Sequence, residues 1–196
     1  YTLDEGDEKV QVAPWPFPPE HGDTPEFQYD PHVWTSPANA AIQVHNIGAA
    51  LTDKQPVLKP YVTEYENRLT KLDDWARQSL ESVPKDSRVL FTSHDAFGYF
   101  SHHYDVTFIG AALSDFNEQQ DATAEHIRAA ADEVKKSGAK ALFAENSNNS
   151  KSIESIAQAA GVKAIVGDDA LYGDSLGPEG SPGETYVGSI VHNVST

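Results

Sequence analysis

The chain has 196 residues, a formal net charge of −16 and no cysteine. Its length allows one or two domains. The missing cysteine excludes a disulfide framework, a thiolate metal site and a cysteine nucleophile. The acidity argues against nucleic acid or an anionic membrane surface as partner, since both need a basic footprint. Such surface acids serve mainly solubility.

Residues 1–30 carry Pro14, Pro16, Pro18, Pro19 and Pro25 with eight acids and the single base Lys9. Prolines this dense oppose helix and sheet, so the segment reads as an extended acidic loop. His21 lies in it and reads as a solvated loop residue. Ser36-Pro37 is an N-cap followed by a first-turn proline. Ala41, Val44, Ile47 and Leu51 then recur at helical spacing, predicting a helix over 37–53. A second helix runs from Pro56 to about 83 on Leu58, Val62, Tyr65, Leu69, Leu72, Ala76 and Leu80. At 1.5 Å per residue it would reach roughly 40 Å, long enough to bridge two lobes.

After Pro84 strands and helices alternate. Strands are expected at 88–92, 106–109, 141–144 and 162–166, with helices at about 95–103, 121–137 and 150–160. A glycine- and acid-rich loop covers 167–184, and a last helix starts near Thr185. This order predicts an α/β fold: a parallel four-stranded sheet flanked by helices and preceded by a long connector helix. Sites on such sheets gather at the carboxyl ends of the strands. His94 falls just past the first strand, and Asp174 in the loop after the fourth. No apolar run reaches the length of a membrane helix. The chain begins at Tyr1 and shows no signal peptide, so an upstream segment is expected outside this sequence.

Three short stretches carry the chemistry: Asp30-Pro31-His32-Val33-Trp34, Thr92-Ser93-His94-Asp95 and Gly173-Asp174-Ser175. Imidazole nitrogen and carboxylate oxygen form the ligand set of divalent cations such as zinc and manganese. Pro31 restricts the backbone that presents His32, and Trp34 can keep water away. Asp168, Asp169 and Glu145 compete with Asp174 for the carboxylate role. Ser93-His94-Asp95 is not a catalytic triad, whose members meet from distant positions, and the chain has no Gly-x-Ser-x-Gly elbow. His45, His102, His103, His126 and His192 lack paired ligand spacing and read as structural or surface residues.

These stretches, with Ser36-Pro37-Ala38-Asn39-Ala40, Ala141-Leu142-Phe143-Ala144-Glu145 and Asp174–Gly180, resemble the ZnuA/TroA-type family. Its members feed zinc, manganese or iron to bacterial ABC importers. The resemblance covers roughly residues 30–196. It implies two lobes joined by one long helix, with the metal between them and no catalytic step. It implies His32, His94 and Asp174 as metal ligands, with Zn2+ or Mn2+ as the transported ion. An ABC permease is the implied partner, and the implied location is extracytoplasmic, with a possible lipid anchor. The family's first ligand is a histidine well upstream of Asp30, and its final helix runs past Thr196. Three of four ligands are therefore expected here.

The implied division is 1–54 as loop and remnant of the first lobe, 55–84 as connector helix, and 85–196 as the second lobe. His32 belongs across the cleft, on the lobe that this chain mostly lacks. The helix at 37–53 is expected to pack on another copy of the chain or to be poorly ordered. The alternative function is a zinc-dependent hydrolase using the same histidines and aspartate, which would need a general base and a substrate pocket.

Overall fold

The structure, a computed structural model, describes residues 12–13, 29–113 and 123–196. Most of the proline-rich segment, His21 included, lies outside the described residues. Helix α1 spans Pro37–Lys54, and the Ser36 side chain accepts from the Asn39 N–H at its start. Helix α2 spans Lys59–Glu81. Pro56–Leu58 forms a separate 3-10 turn ahead of it, so this helix is shorter than the sequence suggests. Its 23 residues reach about 34 Å. Among the described residues, no helix is long and apolar enough to cross a membrane.

The second half alternates as expected: β1 (Val89–His94), α3 (Gly98–His103), β2 (Thr107–Leu113), α4 (Ala124–Ser137), β3 (Ala141–Phe143), α5 (Lys151–Ala160), β4 (Lys163–Ile165) and α6 (Tyr186–Ser195). The four strands form one parallel sheet in the order β2-β1-β3-β4. Strand β2 runs beyond the expected Ile109. Gly110 carries the extension at φ 141°, where the pairing with β1 shifts register between Leu90 and Phe91. Gly138 and Gly161 close α4 and α5 in the left-handed conformation.

Parallel sheets bury both faces, and successive side chains serve opposite sides. Phe91 and Leu142 face α4 and α5, packing with Ala131, Val134, Ile153 and Ile156. Leu90 and Phe143 face the other way, with Phe97, Phe100, Tyr104, Leu171 and Ala76 of α2. A third cluster joins α1, α2 and α6 through Ala40, Leu69, Leu72 and Ile190, with Ala41, Val44 and Tyr65 against it. The chain's own residues therefore cover part of the α1 face for which another copy was the expected partner. Ile47 and Leu51, further along that face, stay 60% and 48% exposed.

Asp73, midway along α2, holds the end of α3. Its Oδ1 lies 2.6 Å from His103 Nε2 and accepts from the Tyr104 hydroxyl at 2.8 Å. Burial alone would raise the Asp73 pKa, but these hydrogen bonds and the Arg77 charge bring it below the usual carboxylate range.

Candidate metal centre

His32 sits in the 29–36 segment that leads into α1. Asp30 orients it twice: Oδ1 accepts from the His32 backbone N–H at 2.9 Å and pairs with ring Nδ1 at 2.7 Å. Asp30 is itself fixed. Its N–H donates to the Ala13 carbonyl, and its own carbonyl accepts from the Tyr99 hydroxyl at 2.7 Å. Asp30 Oδ2 fills the space beside Gly98, where a Cβ would come within 2.6 Å of it. A carboxylate on Nδ1 selects the tautomer whose Nε2 lone pair points away from it, into the site.

His94 is the last residue of β1, which runs two residues beyond the expected end at Thr92. Its backbone N–H donates to Glu145 Oε1 at 2.9 Å. Its Nδ1 lies 3.0 Å from Asp95 Oδ1, an ion-pair distance without hydrogen-bond alignment. Asp174 lies in the loop after β4, and neighbouring side chains hold that loop residue by residue. The Asn193 amide of α6 bonds both backbone groups of Tyr172, at 2.8 and 2.9 Å. Trp34 Nε1 donates to the Gly173 carbonyl at 3.0 Å. Asn146 donates to Ser175 Oγ at 2.8 Å.

These supports bring three donors to one point. His32 Nε2 and His94 Nε2 are 3.3 Å apart. Asp174 Oδ2 is 3.3 Å from His94 Nε2, and Oδ1 is 3.6 Å from His32 Nε2. Ligand atoms at tetrahedral angles around an ion, each about 2.0–2.1 Å from it, stand about 3.3–3.4 Å apart. The triangle therefore has the right size for one such ion above its centre. Both imidazoles are buried, whereas the Asp174 side chain is 33% exposed. A cavity of about 340 Å³ lies beside it, lined by Trp34, Tyr172, Leu176 and Tyr186 among others.

The electrostatics suit a cation. Burial disfavours a charged His94, but its hydrogen bond to Asp174 and the nearby carboxylates of Asp95, Glu145 and Asp174 outweigh it, raising its pKa to about 9. Burial pushes Asp95 up to about 6, against the pull of His94. Burial likewise pushes Glu145 up to about 8. Burial also raises Asp174, but its hydrogen bond to His94 and the imidazole charges win, and its pKa is lowered.

The three candidates named from sequence thus meet, and they form the one group of three or more potential metal-holding side chains among the described residues. Their rivals do not join them: Asp168 and Asp169 are exposed in a turn after β4, and Glu145 lies behind His94. The chain itself anchors His32, which was expected across an open cleft. It is only 2% exposed, because Asp30 docks on α3 through Tyr99 and Trp34 docks on the 173 carbonyl. Ser93 Oγ accepts from the Glu145 N–H at 2.7 Å, so it is occupied structurally. His45, His103, His126 and His192 bond to groups outside the cluster. Sequence reasoning gave no role to Tyr99, Asn193, Gly98 or Gly173. The two glycines, close to His94 and Asp174 in sequence, were readable as points of tight approach. Nothing local marks Tyr99 or Asn193.

Known proteins share this arrangement of chain. The manganese-binding lipoprotein MntA of Bacillus subtilis is 32% identical over 174 residues, covering 86% of this chain and 56% of the relative. The zinc-binding protein TroA of Treponema pallidum is 32% identical over 178 residues, 87% of this chain and 57% of the relative. The solved structure of periplasmic TroA from Treponema pallidum superposes with a TM-score of 0.75 at 30% identity, covering 88% of this chain and 64% of that one. The chain thus spans little more than half the length of these curated relatives. Residues 3–196 match the family described as the periplasmic component A of the zinc-uptake complex, and the chain belongs to that family.

Proposed function

We propose that this chain is the greater part of an extracytoplasmic solute-binding component of a metal ABC importer. It captures a divalent transition metal, Zn2+ or Mn2+, for delivery to a membrane permease. The observation that carries this reading is the convergence of His32 Nε2, His94 Nε2 and Asp174 carboxylate oxygen at 3.3–3.6 Å. The relatives support the cargo: MntA is named for manganese and TroA for zinc. They also support the location, since their names include a lipoprotein and a periplasmic protein. Binding, not turnover, is the named role of these relatives, so the site is read as a carrier rather than as a zinc hydrolase.

In this reading the two imidazoles form a fixed floor and Asp174 the accessible third ligand. The ion displaces the proton held between His94 and Asp174, leaving one coordination position for water or a further ligand. Residues 55–84 act as the connector, 85–196 as one lobe, and 1–54 as the remainder of the other.

Calorimetric titration with Zn2+ and with Mn2+ tests the assignment. One ion per chain is expected. His94→Ala should lose more than the roughly 10–100-fold that removal of an outer partner costs. Binding of equal strength in wild type and His94→Ala would overturn the assignment.

A further inference from the structure

Glu145 is almost completely buried, at 1% exposure, and sits where β3 ends. It is tied to β1 in both directions. Its N–H donates to Ser93 Oγ, and its Oε1 accepts from the His94 N–H at 2.9 Å. Its backbone pairs with Leu171 on the opposite side, extending the sheet toward the Asp174 loop. The second carboxyl oxygen, Oε2, has no hydrogen-bond partner among the described residues. It points at Gly173, the residue before Asp174. A Cβ on Gly173 would lie 2.2 Å from Oε2 and 3.2 Å from the carboxyl carbon, with Ala96 Cβ the next neighbour at 3.4 Å. Gly173 is not among the residues with positive φ. Its lack of a side chain is therefore matched by the carboxyl group and is not required by its backbone.

We propose that Glu145 is the positioning residue of the metal site: a spacer that fixes the distance between His94 and Asp174 by holding the peptide of one and bearing on the peptide next to the other. The proposal rests on the reading of His94 and Asp174 as ligands. Glu145 touches no metal. One oxygen sets where β1 ends, and the other sets how closely the 172–174 loop can approach. Outer groups that orient ligands in this way typically contribute roughly 10–100-fold to metal affinity.

The geometry makes an unusual demand on a pair of substitutions. Gly173→Ala should weaken Zn2+ binding by roughly 10-fold or more, because the new methyl group and Oε2 cannot both keep their places and either the Glu145 carboxyl or the loop must shift. Glu145→Ala should weaken it by a similar factor. In the double variant the methyl group enters the space the carboxyl has left. Its affinity should match that of Glu145→Ala within about twofold, where independent effects would multiply. Glu145→Gln keeps the acceptor and the volume and should stay within about threefold of wild type. Ile153→Ala, in the core on the far side of the sheet, should lower stability without lowering affinity, separating positioning from general destabilisation.

Multiplicative losses in the double variant would overturn the proposal, as would Glu145→Gln binding as weakly as Glu145→Ala. Gly173→Ala binding as tightly as wild type would overturn it too, whether or not Glu145→Ala folds. A second readout needs no metal: exchange protection of the His94 amide should drop in Glu145→Ala and persist in Glu145→Gln. If wild type fails to bind Zn2+ while the His94 amide behaves as stated, the metal reading falls and the positioning contact stands. If His94 protection is unchanged in Glu145→Ala, the positioning role falls whatever the metal does.

Discussion

Trp34 and Gly173 meet through one hydrogen bond, indole N–H to carbonyl oxygen at 3.0 Å, across 139 positions of sequence. It joins the segment carrying His32 to the loop carrying Asp174. The Tyr186 hydroxyl steadies Trp34 by donating to its carbonyl at 2.7 Å, and the Trp34 ring meets the His32 imidazole edge-on at 5.5 Å. Trp34→Phe keeps an aromatic wall and removes the donor. A net hydrogen bond contributes about 1 kcal/mol, so Zn2+ affinity should fall about fivefold in a competition titration. An unchanged affinity would show that the bond does not hold the site together.

Gly98 should tolerate alanine as a helix residue and fail as a neighbour of Asp30. Gly98 is the first residue of α3 and has no positive φ, so the backbone there accepts alanine. Its Cβ, however, would stand 2.6 Å from Asp30 Oδ2. Displacing Asp30 releases His32 Nδ1. Gly98→Ala should therefore lose roughly 10-fold or more in metal affinity with little loss of melting temperature. Gly138→Ala should do the opposite: its φ of 75° strains alanine and costs stability, but no ligand is near. Equal effects of both variants on affinity would count against Asp30 as the orienting group.

Proton linkage gives metal-free and metal-bound protein opposite pH trends. His94 has its pKa raised from 6.5 to about 9. Its protonated form stabilises the metal-free fold fully below pH 6.5, and that contribution disappears as the pH rises through 9. Glu145, raised from 4.5 to about 8, acts in the same direction: the folded state holds its proton longer than the unfolded chain. Metal-free melting temperature should therefore decline from pH 6.5 to 9. Zn2+ must displace the His94 proton, so log affinity should climb by about one per pH unit below 9 and then level. Calorimetry in buffers of different ionisation enthalpy counts the released proton. A flat affinity profile, or none released, would contradict the pairing of His94 with Asp174.

Asp73 offers a test of helix α2 apart from the metal. Asp73→Ala removes acceptors for His103 and Tyr104 and leaves Arg77 without its carboxylate. The expected cost is about 1–3 kcal/mol in urea unfolding, with Zn2+ affinity unchanged. The depressed Asp73 pKa adds a sign: its contribution is present above the unfolded carboxylate pKa and is lost as the pH falls through the folded value. The gap between wild type and variant should therefore close in acid. A weakened metal site would mean that α2 transmits strain to His94.

Much of this was legible in the chain. Alternating apolar runs, Gly138, Gly161 and the Ser36-Pro37 cap mark where elements begin and end, and local chemistry decides those points. His32, His94 and Asp174 stood out because few residue types bind metals and because the stretches around them resemble the family; only His94 and Asp174 were also expected at strand ends. The placement of His32 was not legible. It depends on Asp30 meeting Tyr99 and on Trp34 meeting Gly173, contacts between distant residues that no spacing encodes. Glu145 was visible only as a rival ligand, because a carboxylate at a strand end looks the same whether it faces the ion or the peptide behind it.

The uneven exposure of the three donors has a kinetic consequence. In the proposed metal reading, two buried imidazoles and one partly open carboxylate make Asp174 the ion's doorway among the described residues. A compact chelator can seize the ion there before His32 and His94 let go, and stripping then speeds up with chelator concentration. A bulky one must wait for the ion to leave unaided, and its rate stays constant however much is added.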